Sequence, residues 1–216
     1  MSDRSRRARM IVATRNAAKL REIASIYAHL NIELHSLADY VRIPEVREEG
    51  LTYADNAAAK ARTAAEATGL VALADDSGIE VDALGGAPGV HSARYPAADA
   101  TDAERSARIL SLLEGIPRDR RTARYRAAIA VARPDGTVRI FEGVCEGRVA
   151  CSPRGTAGFG YDPVFVPEGA QETIAQAPPE FKNRISHRAR ALRAAEPYLR
   201  ELLGVGEKEQ PARDGK

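Results

Sequence analysis

The chain has 216 residues, 44% of them hydrophobic and 29% charged, which suits one globular α/β domain with a full core. Lys and Arg total 32 against 30 for Asp and Glu, a formal net charge of +2, too balanced to argue for a nucleic-acid coat or an acidic partner. No apolar run nears the roughly 18 residues of a membrane span, no signal-length stretch follows the charged N-terminus, and the two cysteines, Cys145 and Cys151, read as reduced thiols of a cytoplasmic protein rather than a disulfide framework.

Met10-Ile11-Val12-Ala13 reads as a first strand, after an Arg-rich N-terminus. Leu20, Ile23, Tyr27 and Leu30 make one apolar stripe, so a helix is expected over residues 17–30. Thr52 and Asp55 form an approximate capping box for a second helix, which Gly69 ends. Leu70-Val71-Ala72-Leu73 reads as a buried strand. Thr101 and Glu104 open a third helix that stops at Gly115. Two strands, over 124–132 and 137–142, flank the turn Pro134-Asp135-Gly136 as a hairpin. Residues 143–179 read as loop-rich from their Gly and Pro content. A last helix spans 186–203, with Leu192, Leu199 and Leu203 on one side, and Pro197 should kink or split it. Alternating helices and strands followed by a hairpin predict a mixed sheet with helices packed on it.

Ala74-Asp75-Asp76-Ser77-Gly78 follows the third apolar run, where open α/β sheets place their chemistry. Adjacent carboxylates repel, and become useful together when a cation sits between them and a phosphate. Asp, Ser and Gly also form turns, so the segment alone reads first as a polar turn. Thr14-Arg15-Asn16-Ala17-Ala18-Lys19 lies where strand one meets helix one. Helix-start N–H groups attract anions, and Thr, Asn and Lys could add contacts to a phosphate chain or simply cap the helix. There is no GxxxxGK. The acidic loop Pro44-Glu45-Val46-Arg47-Glu48-Glu49-Gly50 could supply a second carboxylate to a metal at Asp76, or be a solvated charge run. Gly158-Phe159-Gly160-Tyr161-Asp162-Pro163 fails GxGxxG. It is either a tight turn or a place where backbone approaches a ligand and an aromatic ring stacks on a base. Lys182-Asn183-Arg184-Ile185-Ser186-His187-Arg188 offers donors at a helix start, where cations oppose the dipole. An electron-rich ligand would explain them; so would a basic surface.

Together and in this order, these segments resemble the non-canonical purine nucleoside triphosphate pyrophosphatases, the Ham1/RdgB-like family of inosine triphosphatases. The matching stretches are TRNAAK (14–19), EEGLTYADNAAAKA (48–61), ADDSGIEVDALGGAPGVHSARY (74–95), GFGYDP (158–163) and KNRISHRARAL (182–192). The resemblance implies an α/β fold, an elongated mixed β-sheet flanked by helices in two lobes with a nucleotide cleft between them. It covers residues 10–203 as a single domain; the Arg-rich residues 1–9 and the polar residues 204–216 lie outside it and read from their composition as disordered tails. It also implies a homodimer, a Mg2+ requirement, and hydrolysis of ITP, dITP or XTP to the monophosphate and pyrophosphate, cleansing the nucleotide pool. On this likeness Asp76 is the catalytic base and a metal ligand, with Glu48 first and Glu45 second as the acidic-loop ligand. Ser77 contacts the substrate, and Thr14, Arg15, Asn16, Ala17, Ala18 and Lys19 hold the triphosphate. Phe159, Gly160, Tyr161, Asp162, Lys182, His187 and Arg188 form the base and ribose side. Arg15 stands where the family often has Gly, adding bulk and charge beside the phosphates.

The chemistry agrees. Water attacking the α-phosphorus needs a carboxylate to orient it and a cation to offset charge. Hypoxanthine and xanthine carry a C6 carbonyl where adenine carries an amine, and Lys, His and Arg donors suit that acceptor. Guanine shares the carbonyl, so its rejection needs something else, which the sequence does not show. A nucleotide- or nucleic-acid-binding module without catalysis would explain the basic segments but not the carboxylates. An unrelated phosphohydrolase acting on standard nucleotides is the third reading.

Overall fold

The computed structural model describes residues 7–40, 43 and 46–206. The expected tail residues 1–6 and 207–216, and the candidate ligand Glu45, lie outside the described residues. Six strands form one sheet in the order β2-β1-β3-β4-β5-β6. They are β1 (Ala8–Val12), β2 (Ile32–Ser36), β3 (Val71–Val81), β4 (Thr122–Ala132), β5 (Val138–Val149) and β6 (Phe165–Pro167). Strand β1 runs parallel to both β2 and β3, and every later pairing is antiparallel, so the sheet is mixed as expected. The helices are α1 (Ala17–Ile26), α2 (Tyr53–Thr68), α3 (Asp102–Leu112), α4 (Pro179–Ile185) and α5 (His187–Leu203). Among the described residues no helix is long and apolar enough to cross a membrane.

Strand alternation divides the core between the two faces of the sheet. Met10, Val12, Leu73, Ile129 and Val131 pack against Ile23 and Tyr27 beside α1, and against Leu192 and Leu199 of α5. Ile11, Ala72, Ala74, Ala128 and Ala130 face Ala57, Ala61 and Ala64 of α2. A third cluster joins Ile79, Val81 and Tyr125 at the far ends of β3 and β4 to Ile109 of α3 and to Phe165. Both predicted capping boxes form: Thr52 with Asp55 opens α2, and Thr101 with Glu104 opens α3.

Several expectations change. Helix α1 ends at Ile26, although Tyr27 and Leu30 still bury on the predicted stripe. Strand β1 already begins at Ala8, inside the expected tail, because Ala8 and Arg9 pair with Ile32 and Glu33. At the other end Gly204 caps α5 and Val205 packs on the core, so these two residues continue the fold. The segment read as a polar turn is the middle of an eleven-residue strand. Asp75 to Gly78 pair across to Ile129 through Arg126 of β4, and both carboxylates find cations, so the ladder prevails over the turn. Residues 143–179, read as loop-rich, are mostly turn and loop, but 143–149 continue β5 and Phe165–Pro167 forms β6. Gly143 sits inside β5 because a Cβ there would strike the His187 carbonyl where α5 crosses it. Pro197 does not split α5. Burial of Ala195 and Leu199 on either side of it holds the helix together.

Candidate active site

Asp75 and Asp76 do not act as a pair. Being neighbours on a strand, they point to opposite faces of the sheet. On the α2 face, Asp76 Oδ1 meets Lys60 Nζ at 2.8 Å, and the same ammonium reaches Glu48 Oε1 at 2.7 Å. Asn56 donates to Asp76 Oδ2 at 3.3 Å, and Arg94 donates to Glu48 Oε2 at 2.7 Å. Burial raises the Asp76 pKa above the ordinary carboxylate value, against the pull of Lys60. Burial also opposes ionisation of Glu48, but Lys60, Lys19 and Arg94 outweigh it and hold its pKa low. The carboxylate partner of Asp76 is therefore Glu48 rather than Asp75, with a lysine cation held between the two.

On the α5 face, Arg188 forks both oxygens of Asp75, at 3.2 and 3.1 Å. Lys19 meets Asp75 Oδ2 at 2.6 Å. Ser77 donates to Asp75 at 3.1 Å and accepts from Arg188 at 3.0 Å. Burial resists the charge on Asp75, yet Arg188 and Lys19 hold its pKa far below the carboxylate range. Glu22 of α1 joins Arg188 to Lys182, the latter at 2.7 Å. Lys182 also grips Asp162, whose Oδ2 accepts the Phe159 N–H at 2.9 Å. Gly158, at φ +79°, keeps that turn tight, and a Cβ there would collide with the Asp162 carboxylate. The Lys182 to Arg188 segment is thus no exposed basic face, nor a set of unpartnered cations. Lys182 and Arg188 are buried and paired with carboxylates on α1, β3 and the 158–163 turn.

Two cavities meet at Asn16 and Lys19. The larger, about 710 Å³, is lined by Thr14, Arg15, Glu48, Lys60 and Arg94. Asp76 lies behind Lys60 rather than on its surface. The smaller, about 330 Å³, is lined by Ser77, Phe159, Gly160, Tyr161, Asp162 and Lys182, together with His187 and Arg188. Between them the Asn16 side chain caps α1, accepting from Ala18 and Lys19 N–H at 2.9 and 3.2 Å. Thr14 Oγ1 accepts from Asn16 N–H at 3.1 Å. Arg15 turns away to donate to the Ile43 carbonyl at 3.0 Å, tying the phosphate-loop candidate to the segment leading into the acidic loop. Ala17 is exposed, and Ala18 faces a neighbouring cavity beside Phe159.

The Phe159 ring lies under Lys182 Nζ at 4.3 Å and Arg188 at 5.5 Å. His187 stacks on Tyr125, with ring centroids 4.6 Å apart and planes at 12°. Burial, then Arg188, pushes the His187 pKa well below its usual value, so its imidazole is neutral, and its Nδ1 has no partner among the described residues. Sequence reasoning missed Lys60, Glu22, Asn56 and Arg94. The signal for Lys60 was available: it sits four residues after Asn56 on the alanine-lined buried face of α2, where a lone lysine needs a reason.

No group of three or more His, Cys, Asp or Glu converges to hold a metal among the described residues. Glu48 and Asp76, already sharing one cation, suit Mg2+, which binds through one or two carboxylates and completes its shell with water and phosphate oxygens.

A dITP/XTP pyrophosphatase of Geobacter sulfurreducens is 50% identical over 191 residues, covering 88% of this chain and 96% of that protein. One from Geobacillus kaustophilus is 46% identical over 195 residues, 90% of this chain and 96% of its own length. The solved structure of a HAM1 protein from Coxiella burnetii superposes with a TM-score of 0.81 at 41% identity, covering 90% of this chain and 99% of that one. The model of the Ham1 family matches residues 10–198, and this chain belongs to that family.

Proposed function

We propose that this protein hydrolyses dITP, XTP and ITP to the monophosphate and pyrophosphate. The observation that carries the reading is the pair of cavities joined at Asn16 and Lys19. One offers cations and carboxylates suited to a triphosphate. The other offers an aromatic face and buried donors suited to an oxopurine. The dITP/XTP pyrophosphatase activity for which the relatives are named supports dITP and XTP.

The triphosphate lies along the start of α1, where the helix dipole and the Lys19 ammonium attract its oxygens. Glu48 and Asp76 would hold Mg2+, which when bound would offset the phosphate charge and polarise the phosphoryl group. Asp76, its carboxylate pKa raised by burial, takes the proton from the attacking water. The base stacks on Phe159 in the smaller cavity. Arg188 uses four of its five N–H groups on Asp75, Glu22 and Ser77, so it chiefly positions its neighbours. Lys182 has three N–H donors and two carboxylate partners, which leaves one donor for the C6 oxygen. Neutral His187 adds a ring nitrogen beside it. The chain works in the cytoplasm, where its free Cys145 and Cys151 stay reduced, as the homodimer that the family likeness implies.

Incubation with ITP, dITP, XTP, GTP, ATP and dUTP, with magnesium or with a chelator, tests this. Turnover of the first three that stops with the chelator is expected. Equal turnover of ATP or dUTP overturns the substrate assignment, and turnover that persists in the chelator overturns the metal.

A further inference from the structure

Resting on that reading, we propose that Arg105 reads position 2 of the base and sets the preference among xanthine, hypoxanthine and guanine. Arg105 lies in the first turns of α3, and its side chain lines the smaller cavity. Among the described residues its one hydrogen bond runs from Nη1 to Asp102 Oδ1, at 2.9 Å. Its Nε is buried and has no partner. A buried donor without an acceptor is unfavourable, so it calls for a ligand that completes it.

The 158–163 turn joins Arg105 to the rest of the cavity. Phe159 packs under Lys182 and Arg188 on one side. The next residue, Gly160, donates its N–H to Asp102, the ion-pair partner of Arg105, at 2.6 Å. Tyr161 donates to the Ser92 carbonyl at 2.9 Å and lies within the electrostatic reach of Arg105. A purine stacked on Phe159 with its C6 oxygen toward Lys182 and His187 turns its C2 edge toward α3.

The three oxopurines differ at that edge. Xanthine carries a carbonyl, hypoxanthine a C–H and guanine an amine. A guanidinium only donates. It bonds the carbonyl, gains nothing from the C–H, and leaves the amine facing another donor. Xanthine also loses a proton near neutral pH, which strengthens its attraction to a fixed cation. One residue thereby supplies the rejection of guanine that recognition at C6 cannot give, by meeting the wrong base with an unpaired donor.

The test compares kcat/KM for XTP, ITP, dITP and GTP in the wild-type protein and in Arg105→Ala and Arg105→Gln, with thermal midpoints recorded alongside. Gln keeps a helix-compatible stem should Ala disturb α3. A hydrogen bond from a charged donor corresponds to about 10- to 150-fold, so XTP should lose about that much relative to ITP, and the gap between ITP and GTP should narrow. Equal losses on all four substrates would make Arg105 a support for the loop and overturn the inference. A loss falling on ITP relative to dITP would assign Arg105 to the ribose hydroxyl and overturn it too. Wild-type protein inert toward XTP, ITP and dITP would instead overturn the functional reading itself, an outcome visible before any variant is made.

Discussion

Replacing Asp75 with Asn separates the two carboxylates that the sequence places side by side. Asp75 is 3% exposed and holds Arg188 by two bonds and Lys19 by a third contact. Removing its charge leaves a buried guanidinium with Glu22 as its remaining carboxylate. Breaking one side of a buried ion pair costs about 3–5 kcal/mol. For a chain of this length 1 kcal/mol moves the midpoint by about 2–4 °C, so Asp75→Asn should lower Tm by roughly 6–20 °C. The Asp75 pKa is depressed in the folded state, so its contribution is present above the unfolded value of about 3.9 and fades only as pH falls below it. Circular dichroism melts of wild type, Asp75→Asn and Asp76→Asn at pH 7 measure this. Asp76→Asn should melt closer to wild type, because Lys60 keeps Glu48 as a partner, while losing at least about 10²-fold in kcat for want of a base. If Asp75→Asn melts within about 2 °C of wild type, or if Asp76→Asn is the less stable of the two, the division of labour between the two faces is wrong.

Lys182→Ala should narrow the ITP-to-ATP ratio of kcat/KM by about 10- to 150-fold, the worth of one charged hydrogen bond, and His187→Ala by about 2- to 13-fold, the worth of a neutral one; equal losses on both substrates would assign these residues to phosphate instead. Glu22→Gln should loosen both Lys182 and Arg188 and raise KM for ITP more than it lowers kcat, measured by steady-state kinetics. His187 is held neutral in the fold, so below its unfolded pKa of about 6.5 the unfolded chain binds a proton that the native state refuses. Stability should therefore fall as pH drops from 7 to 5, with His187 contributing a slope of up to about 1.4 kcal/mol per pH unit that His187→Gln removes; identical slopes in melts of the two proteins would contradict its neutral burial.

The elements with strong local signals were legible. The Thr52–Asp55 and Thr101–Glu104 boxes and the stripe from Leu20 to Leu30 depend on neighbours in sequence, and the structure builds them. Partnerships across long separations were not. Nothing local tells Asp75 that Arg188 lies 113 residues on, so turn chemistry stood where a strand runs. Gly143 reads as loop until α5 is seen crossing it. Strand or turn also decided whether Asp75 and Asp76 share a face, and the strand leaves Glu48, the acidic-loop residue expected first, as the carboxylate that faces Asp76 across Lys60. Lys60 and Glu22 each bridge two candidate groups, and bridging is visible only after both ends are placed.

Hydrolysis of ITP with magnesium in water enriched in oxygen-18 tests the central claim most directly. Attack at the α-phosphorus predicts inosine monophosphate carrying one heavy oxygen, together with unlabelled pyrophosphate. Initial release of IDP and orthophosphate, or label appearing in the pyrophosphate, would contradict the account.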